Sequence, residues 1–288
     1  MVPFNEKKAP HDEVLVKKLN KIALSIRRDS LIMTTKACSG HPGGSLSSAD
    51  ILAALYFHHL RHDPQNPSWE GRDRFILSKG HGCPALYSAL ARAGYFPIEE
   101  LWRLRKVGSI LQGHPDMKRT PGVDASTGTL GQGLSIGIGM ALAFKLDGRD
   151  SRVYVLLGDG ELDEGQIWEA AMSASHYRID NLTAIVDFNR QQLTGCVDRI
   201  MSLEPLADKW KAFGWQVIEI DGHKMKQILD SLDEAEKVRG KPTVIIAHTI
   251  KGKGVSLLEQ SFLEGECKFH GTPLTEAELN KALEELHE

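Results

Sequence analysis

Two apolar runs, residues 153–157 and 182–188, each end in an oxygen-bearing side chain, and that pairing constrains the fold more than any other feature of the chain. The first run stops at Gly158-Asp159-Gly160, as a strand buried on both faces stops at a tight turn. Glu161, Asp163 and Glu164 follow, where a helix N-terminus favours negative charge, and Ile167, Ala170, Ala171, Ala174 and Ser175 then recur at helical spacing. The second run ends at Asn189. A strand, helix, strand unit of this kind implies parallel strands, so Asp159 and Asn189 emerge together at the carboxyl edge, where open α/β sheets bind ligands. Alone, Gly-Asp-Gly is also an ordinary capped turn; the interval 189 − 159 = 30 is what makes the two residues neighbours in space.

One carboxylate and one carboxamide supply hard oxygen donors with little negative charge, which suits Mg²⁺ or Ca²⁺ when the ligand brings its own anionic oxygens. A diphosphate does so, and the flanking glycines admit backbone N–H groups to its oxygens without a Cβ in the way.

Other stretches give an alternating α/β pattern. A helix is expected over 12–36, then a His41 held on the breaker-rich turn 39–44, then a helix capped by Ser47 or Ser48 that runs through Tyr56. Residues 74–78 read as a strand leading to Lys79-Gly80-His81-Gly82, residues 83–93 and 98–106 as helices, and 112–127 as a long loop with many breakers. In the next helix Gly133, Gly137 and Ala141 form one row and Ser135, Gly139 and Ala143 another. Each glycine costs about 1 kcal/mol against alanine in a solvated helix, so close packing, inside the chain or across an intermolecular contact, must compensate. Strands at 216–220 and 243–249 bring the count to at least five, and Thr275 with Glu278 makes a capping box for a last amphipathic helix at about 275–287. The fold class is therefore α/β, and with no repeats or linker composition the 288 residues read as one domain.

The net charge of −3 and pI near 6.5 argue against nucleic acid or a membrane surface as partner. No apolar run reaches spanning length and the charged start lacks a signal core, which suggests a cytoplasmic protein. Cys38, Cys83, Cys196 and Cys267 form no CxxC pair, so reduced thiols are expected; Cys38-x-x-His41 and Cys267-x-x-His270 could in principle pool into a zinc site. Five histidines, His41, His81, His114, His223 and His270, each have glycine nearby at a break in the chain. Any one of them could be structural. Together they supply groups that bind hydroxyls and move protons near neutral pH.

GDGELDEGQIWEAA, with DFN at the end of the following strand, resembles the thiamine-diphosphate motif of the transketolase family; SGHPGG, LSKGHG, QGHPD and FHGTPL resemble its histidine-bearing segments. The likeness runs from about residue 15 to 274. It implies the thiamine-diphosphate-binding fold, with Asp159, Asn189 and a backbone carbonyl near Gln191 holding the metal and Gly160 against the diphosphate. It also implies Lys79 and Lys251 as basic residues near the cofactor, Gly128 and Leu130 against its rings, and His41, His81, His114 and His270 in substrate binding and proton transfer. Glu164 matches an acidic residue linking paired sites, and the helix after Gly131 one near a dimer centre. His223 remains a weaker candidate.

Family members continue into domains that carry the glutamate activating the cofactor pyrimidine and the groups binding sugar phosphate. The resemblance thus implies the N-terminal, diphosphate-binding subunit of a split transketolase. It would pair with a C-terminal subunit, two copies of each chain together, and transfer a ketol unit between sugar phosphates. Two other expectations stand beside it. One is a subunit of another thiamine enzyme, such as deoxyxylulose-phosphate synthase or a 2-oxo acid dehydrogenase; the other is a non-catalytic regulatory subunit.

Overall fold

The computed structural model describes residues 11–287. Five strands, β1 (Arg74–Leu77), β2 (Val153–Gly158), β3 (Leu182–Phe188), β4 (Gln216–Asp221) and β5 (Thr243–His248), form one wholly parallel sheet in the order β1-β2-β3-β5-β4. β2 and β3 are buried along their whole length, which accounts for their largely apolar sequences, broken in β3 only by Thr183 and Asp187, whereas the edge strand β4 is mostly half-exposed.

Side chains alternate between two helical layers, as the strand period requires. Tyr154, Leu156 and Ile185 join a core with the helices Glu13–Ala37, Ala49–Ala54, Cys83–Ala93 and Met225–Lys237; Val153, Val155, Leu157, Ala184 and Val186 join a second core with Gln132–Leu146, Gly165–His176 and Leu206–Ala212. A third apolar cluster ties Leu31 and Leu46 to Phe262, Phe269 and the terminal helix Glu276–Glu285. That helix begins with the expected capping box, Thr275 and Glu278 each bonding the other's backbone N–H.

Three local expectations are corrected. Residues Pro42–Ser47 are a short buried helix and not a turn, because Pro42 fits its first position and Gly43 lies under Phe262 and Lys251 with no room for a larger residue. Ser48 stands at the N-cap of Ala49–Ala54 as expected, but neither its hydroxyl nor that of Ser47 bonds a helix N–H: both turn inward to the Gly44 carbonyl and Asp187. The helix expected over 98–106 is a tighter 3₁₀ stretch, Ile98–Arg103.

The glycine-rich helix Gln132–Leu146 separates its two rows. A Cβ on Gly133 would lie 2.4 Å from Ser78 Oγ, and one on Gly137 2.6 Å from a Val155 methyl, so that row exists for packing on the sheet. Gly139 meets nothing within 4 Å and, with Ala143, faces outward. Among the described residues no helix is long and apolar enough to cross a membrane.

Candidate active site

Parallel pairing places Gly158 beside Asp187, and Phe188 beside His248, so the segments that follow β1, β2, β3 and β5 converge at one edge of the sheet. Asp159 is buried there. Its Oδ1 accepts from the Gly160 N–H at 2.8 Å and its Oδ2 from the Arg190 N–H, a residue held at positive φ just past β3. Asn189 Oδ1 accepts from the Gln191 N–H at 3.1 Å, which turns the chain so that the Gln191 carbonyl faces Lys251, 2.9 Å from its Nζ. Burial, with Asp187 close by, pushes the Asp159 carboxyl up to about 7. Burial likewise lowers Lys251 to about 8.

Below this group lies an ion pair. Lys79 donates to Asp187 and, at 2.8 Å, to the Gly44 carbonyl; Asp187 also accepts from Ser47 at 2.6 Å and from Thr249. Both side chains are almost wholly buried. Burial works against the Asp187 carboxylate, yet the Lys79 ammonium and these hydrogen bonds hold it below the usual carboxylate range. Glu161 completes the frame: its Oε1 accepts from Gly131 N–H at 2.9 Å and from Ser78, and its Oε2 from Gly158 N–H at 3.0 Å. It thereby fastens the start of the glycine-rich helix to the end of β2.

The histidines close the other side. The rings of His41, His81 and His270 lie 5.2–5.6 Å apart, all three pairs in contact. Lys251 Nζ stands 2.8 Å from His270 Nδ1, joining the two halves. Burial pulls His41 down to about 4, with the Arg105 guanidinium adding to the effect, and His270 down to about 3, with Lys251 adding; His81 falls well below its ordinary value, chiefly by burial. His114 is shifted the same way but is exposed, packed against Gly128 at the rim.

Lys79, His81, Leu130, Asp159, Gly160, Asn189, Gln191, Lys251 and His270 all line one cavity, together with Gly44, Gly158, Glu161, Gln192 and Leu193. His41 is not in the lining but packs on two residues that are, His81 and His270, while His114 and Gly128 lie against each other outside it. Glu164 does not line it either: its side chain is exposed, against Gly131 on the outer surface. His223 lies apart as well, beside Asp50 and Ile250. Among the described residues no group of three or more His, Cys, Asp or Glu side chains could hold a metal, which removes the zinc alternative.

A metal with thiamine diphosphate fits the oxygen-rich end. Its donors there are one carboxylate, one carboxamide and a carbonyl that already accepts from an ammonium, and Gln191 Oε1 and His41 Nδ1 are buried with no hydrogen-bond partner. Sequence reasoning singles out neither Asp187 nor Ser78. The signal for Asp187 is nonetheless present, since a carboxylate inside a fully buried strand requires a cation, and Lys79 is the basic residue at the end of a neighbouring strand.

The family model described as transketolase, thiamine diphosphate binding domain, matches residues 19–287. The 6-deoxy-6-sulfo-D-fructose transketolase subunit SqwG of Clostridium sp. (strain MSTE9) is 51% identical over 261 residues, which are 91% of this chain and 93% of that protein. An apulose-4-phosphate transketolase subunit of Phocaeicola vulgatus is 45% identical over 253 residues, 88% of each. The transketolase structure from Campylobacter jejuni superposes with a TM-score of 0.87 at 37% identity, covering 94% of this chain. The chain spans about 43% of that protein's length, but nearly all of the two relatives named as subunits.

Proposed function

Because this chain belongs to the transketolase family, through the thiamine diphosphate binding domain, we propose that it is the N-terminal subunit of a split transketolase. The chain is then one cofactor-binding domain of a cytoplasmic enzyme. The activity is transfer of a two-carbon ketol unit from a ketose to an aldose, each with an anionic terminus, as the names of the two subunit relatives suggest for their own sugars. The observation that carries the reading is the meeting of an oxygen-donor end and a three-histidine end in one cavity.

Asp159, Asn189 and the Gln191 carbonyl would hold Mg²⁺ or Ca²⁺. Gly160 and the Lys251 ammonium would face the diphosphate, and Gly128 and Leu130 the rings. When bound, thiamine diphosphate supplies the electron sink for carbon–carbon cleavage. Burial keeps His41, His81 and His270 neutral at physiological pH, so His41 and His81 can each donate to one sugar oxygen and accept from another hydroxyl or take up a proton, while His270, whose Nδ1 accepts from Lys251, can donate through Nε2–H. His114, at the rim, is placed for the distal part of the sugar. The exposed Glu164 and the outward row of the glycine-rich helix are assigned to a contact between two copies of the chain.

A complementary chain must contribute the carboxylate that activates the pyrimidine. The test is an activity titration with the protein that co-purifies with this one, coupled to mass determination with and without Mg²⁺ and cofactor. Two copies of each chain, activity only in the mixture, and an assembly strengthened by cofactor are expected. Robust turnover by this chain alone would overturn the split arrangement.

A further inference from the structure

His223 lies outside the cavity, but its hydrogen bonds lead back to it. It follows β4 in the turn Asp221-Gly222-His223, where the Asp221 carboxylate accepts from the His223 N–H at 3.0 Å and Gly222 N–H donates to the His248 carbonyl at 2.8 Å. A Cβ on Gly222 would come within 2.5 Å of a Thr249 methyl and 3.2 Å of the His248 carbonyl, so only glycine lets the turn sit this close to the end of β5. The imidazole is thereby fixed between two elements. Its Nδ1 is 2.8 Å from Asp50 Oδ2, and its Nε2 is 2.8 Å from the backbone nitrogen of Ile250.

These contacts determine the tautomer. The Ile250 N–H can only donate, so Nε2 accepts, and a neutral ring then carries its proton on Nδ1 and gives it to Asp50. Asp50 is itself buried and paired with Arg27, whose Nη1 lies 3.2 Å from Oδ1 and whose Nε donates to the Leu46 carbonyl at 3.2 Å. The series Arg27, Asp50, His223, Ile250 N–H thus runs from the first long helix to the residue before Lys251. Beyond it, Gly252 and Gly254 both adopt positive φ, and the Gly252 N–H donates to the Gly43 carbonyl at 3.0 Å. The 250–252 segment is therefore pinned on both sides of Lys251.

We propose that His223 is a positioning residue: through the Ile250 N–H it sets where the Lys251 ammonium stands between the Gln191 carbonyl and His270, and so tunes the affinity for the diphosphate end of the cofactor. This rests on the cofactor assignment above. Lys251 is nearly buried, so its ammonium cannot follow a backbone shift by swinging through solvent. Losing the Ile250 hydrogen bond would be felt at the ligand more than in global stability.

The experiment is a double-mutant cycle on the assembled enzyme, with thiamine diphosphate and Mg²⁺ titrated by calorimetry and thermal melts recorded without ligand. His223→Leu should weaken cofactor binding about 10-fold, in the range found when groups supporting a ligand-bearing residue are removed, while kcat at saturating cofactor stays within about twofold. His223→Gln, whose amide can accept from Ile250 N–H and donate to Asp50, should recover most of the loss. In a Lys251→Ala background, His223→Leu should have no further effect on affinity. An equal effect in both backgrounds would overturn the proposal, as would wild-type affinity for His223→Leu where Lys251→Ala binds weakly. No thiamine diphosphate binding by the unmutated assembly would instead refute the cofactor assignment. If His223→Leu fails to fold, Asp50→Asn with the same readouts replaces it, and must likewise lose its effect in the Lys251→Ala background.

Discussion

The two ends of the cavity treat buried ionisable groups in opposite ways. At the floor, charge is buried together with countercharge: Lys79 with Asp187, and Asp159 within reach of Lys251. At the histidine end, three half-buried rings have only cations and one another nearby, and all three are driven to the neutral form. Burial is the leading cause at both ends. What differs is what is left to compensate it, and the division of labour we propose follows from that: one end suited to a cation with an anionic ligand, the other to hydroxyls and protons without fixed charge.

The largest effect should come from breaking the floor's pairing. Lys79→Met leaves Asp187 buried without its cation, which should cost about 3–5 kcal/mol, read as a fall in chemical-denaturation midpoint. Adding Asp187→Leu should return much of that stability. If the single variant is as stable as the wild type, the pair does not hold the floor together. Next is Asp159→Ala, which removes the one carboxylate proposed for the metal and the acceptor of the Gly160 and Arg190 N–H groups; Mg²⁺-dependent cofactor affinity should fall by about 100-fold, with about 1–3 kcal/mol of stability lost as well. Asn189→Leu should do the same to a lesser degree. Unchanged calorimetric affinity in both would remove the metal assignment.

At the histidine end the sign of the comparison reverses. His81→Ala and His270→Ala should lower turnover of the assembled enzyme by about 100-fold at saturating cofactor and sugar, with cofactor affinity changed far less than in Asp159→Ala. Equal losses of affinity at both ends would mean that the cavity is one binding surface and not two divided functions.

Sequence made the parallel sheet legible because β2 and β3 are buried on both faces and so consist mostly of apolar residues, with Thr183 and Asp187 the polar exceptions in β3. The motif spacing did the same for Asp159 and Asn189, since one crossover fixes which residues become neighbours. The Pro42–Ser47 helix was not legible. Local rules read Pro-Gly-Gly as a turn, and only Phe262 and Lys251, more than 200 positions away, explain why small residues must pack there. Nor could periodicity divide the glycine-rich helix into a row against Ser78 and Val155 and a row facing outward, because both rows have the same spacing. His223 was visible as a histidine at a strand end, but its tautomer depends on Asp50 and Ile250, which only the fold brings to it.

The smallest net effect, because its parts oppose each other, is on the acid side of the stability curve. An ordinary histidine titrates near 6.5, whereas folded His41 titrates near 4 and His270 near 3. Between those values the unfolded chain binds protons that the folded chain excludes, so each ring makes stability rise with pH across the window. The contribution is fully present above about 7, declines as pH falls through 6.5, and levels off only below the folded values. Asp159 works the other way, because its raised carboxyl lets the folded state bind a proton between the ordinary carboxylate range and about 7. The two ends of the cavity therefore oppose each other below neutrality, and a wild-type profile alone does not separate them. A difference does. With metal chelated throughout, the His41→Gln, His270→Gln double variant should lose less stability than the wild type between pH 7 and pH 5, and Asp159→Asn should lose more. Parallel profiles for all three proteins would show that the rings and the carboxyl titrate alike in folded and unfolded chains, and the contrast between the two ends would fail at its electrostatic root.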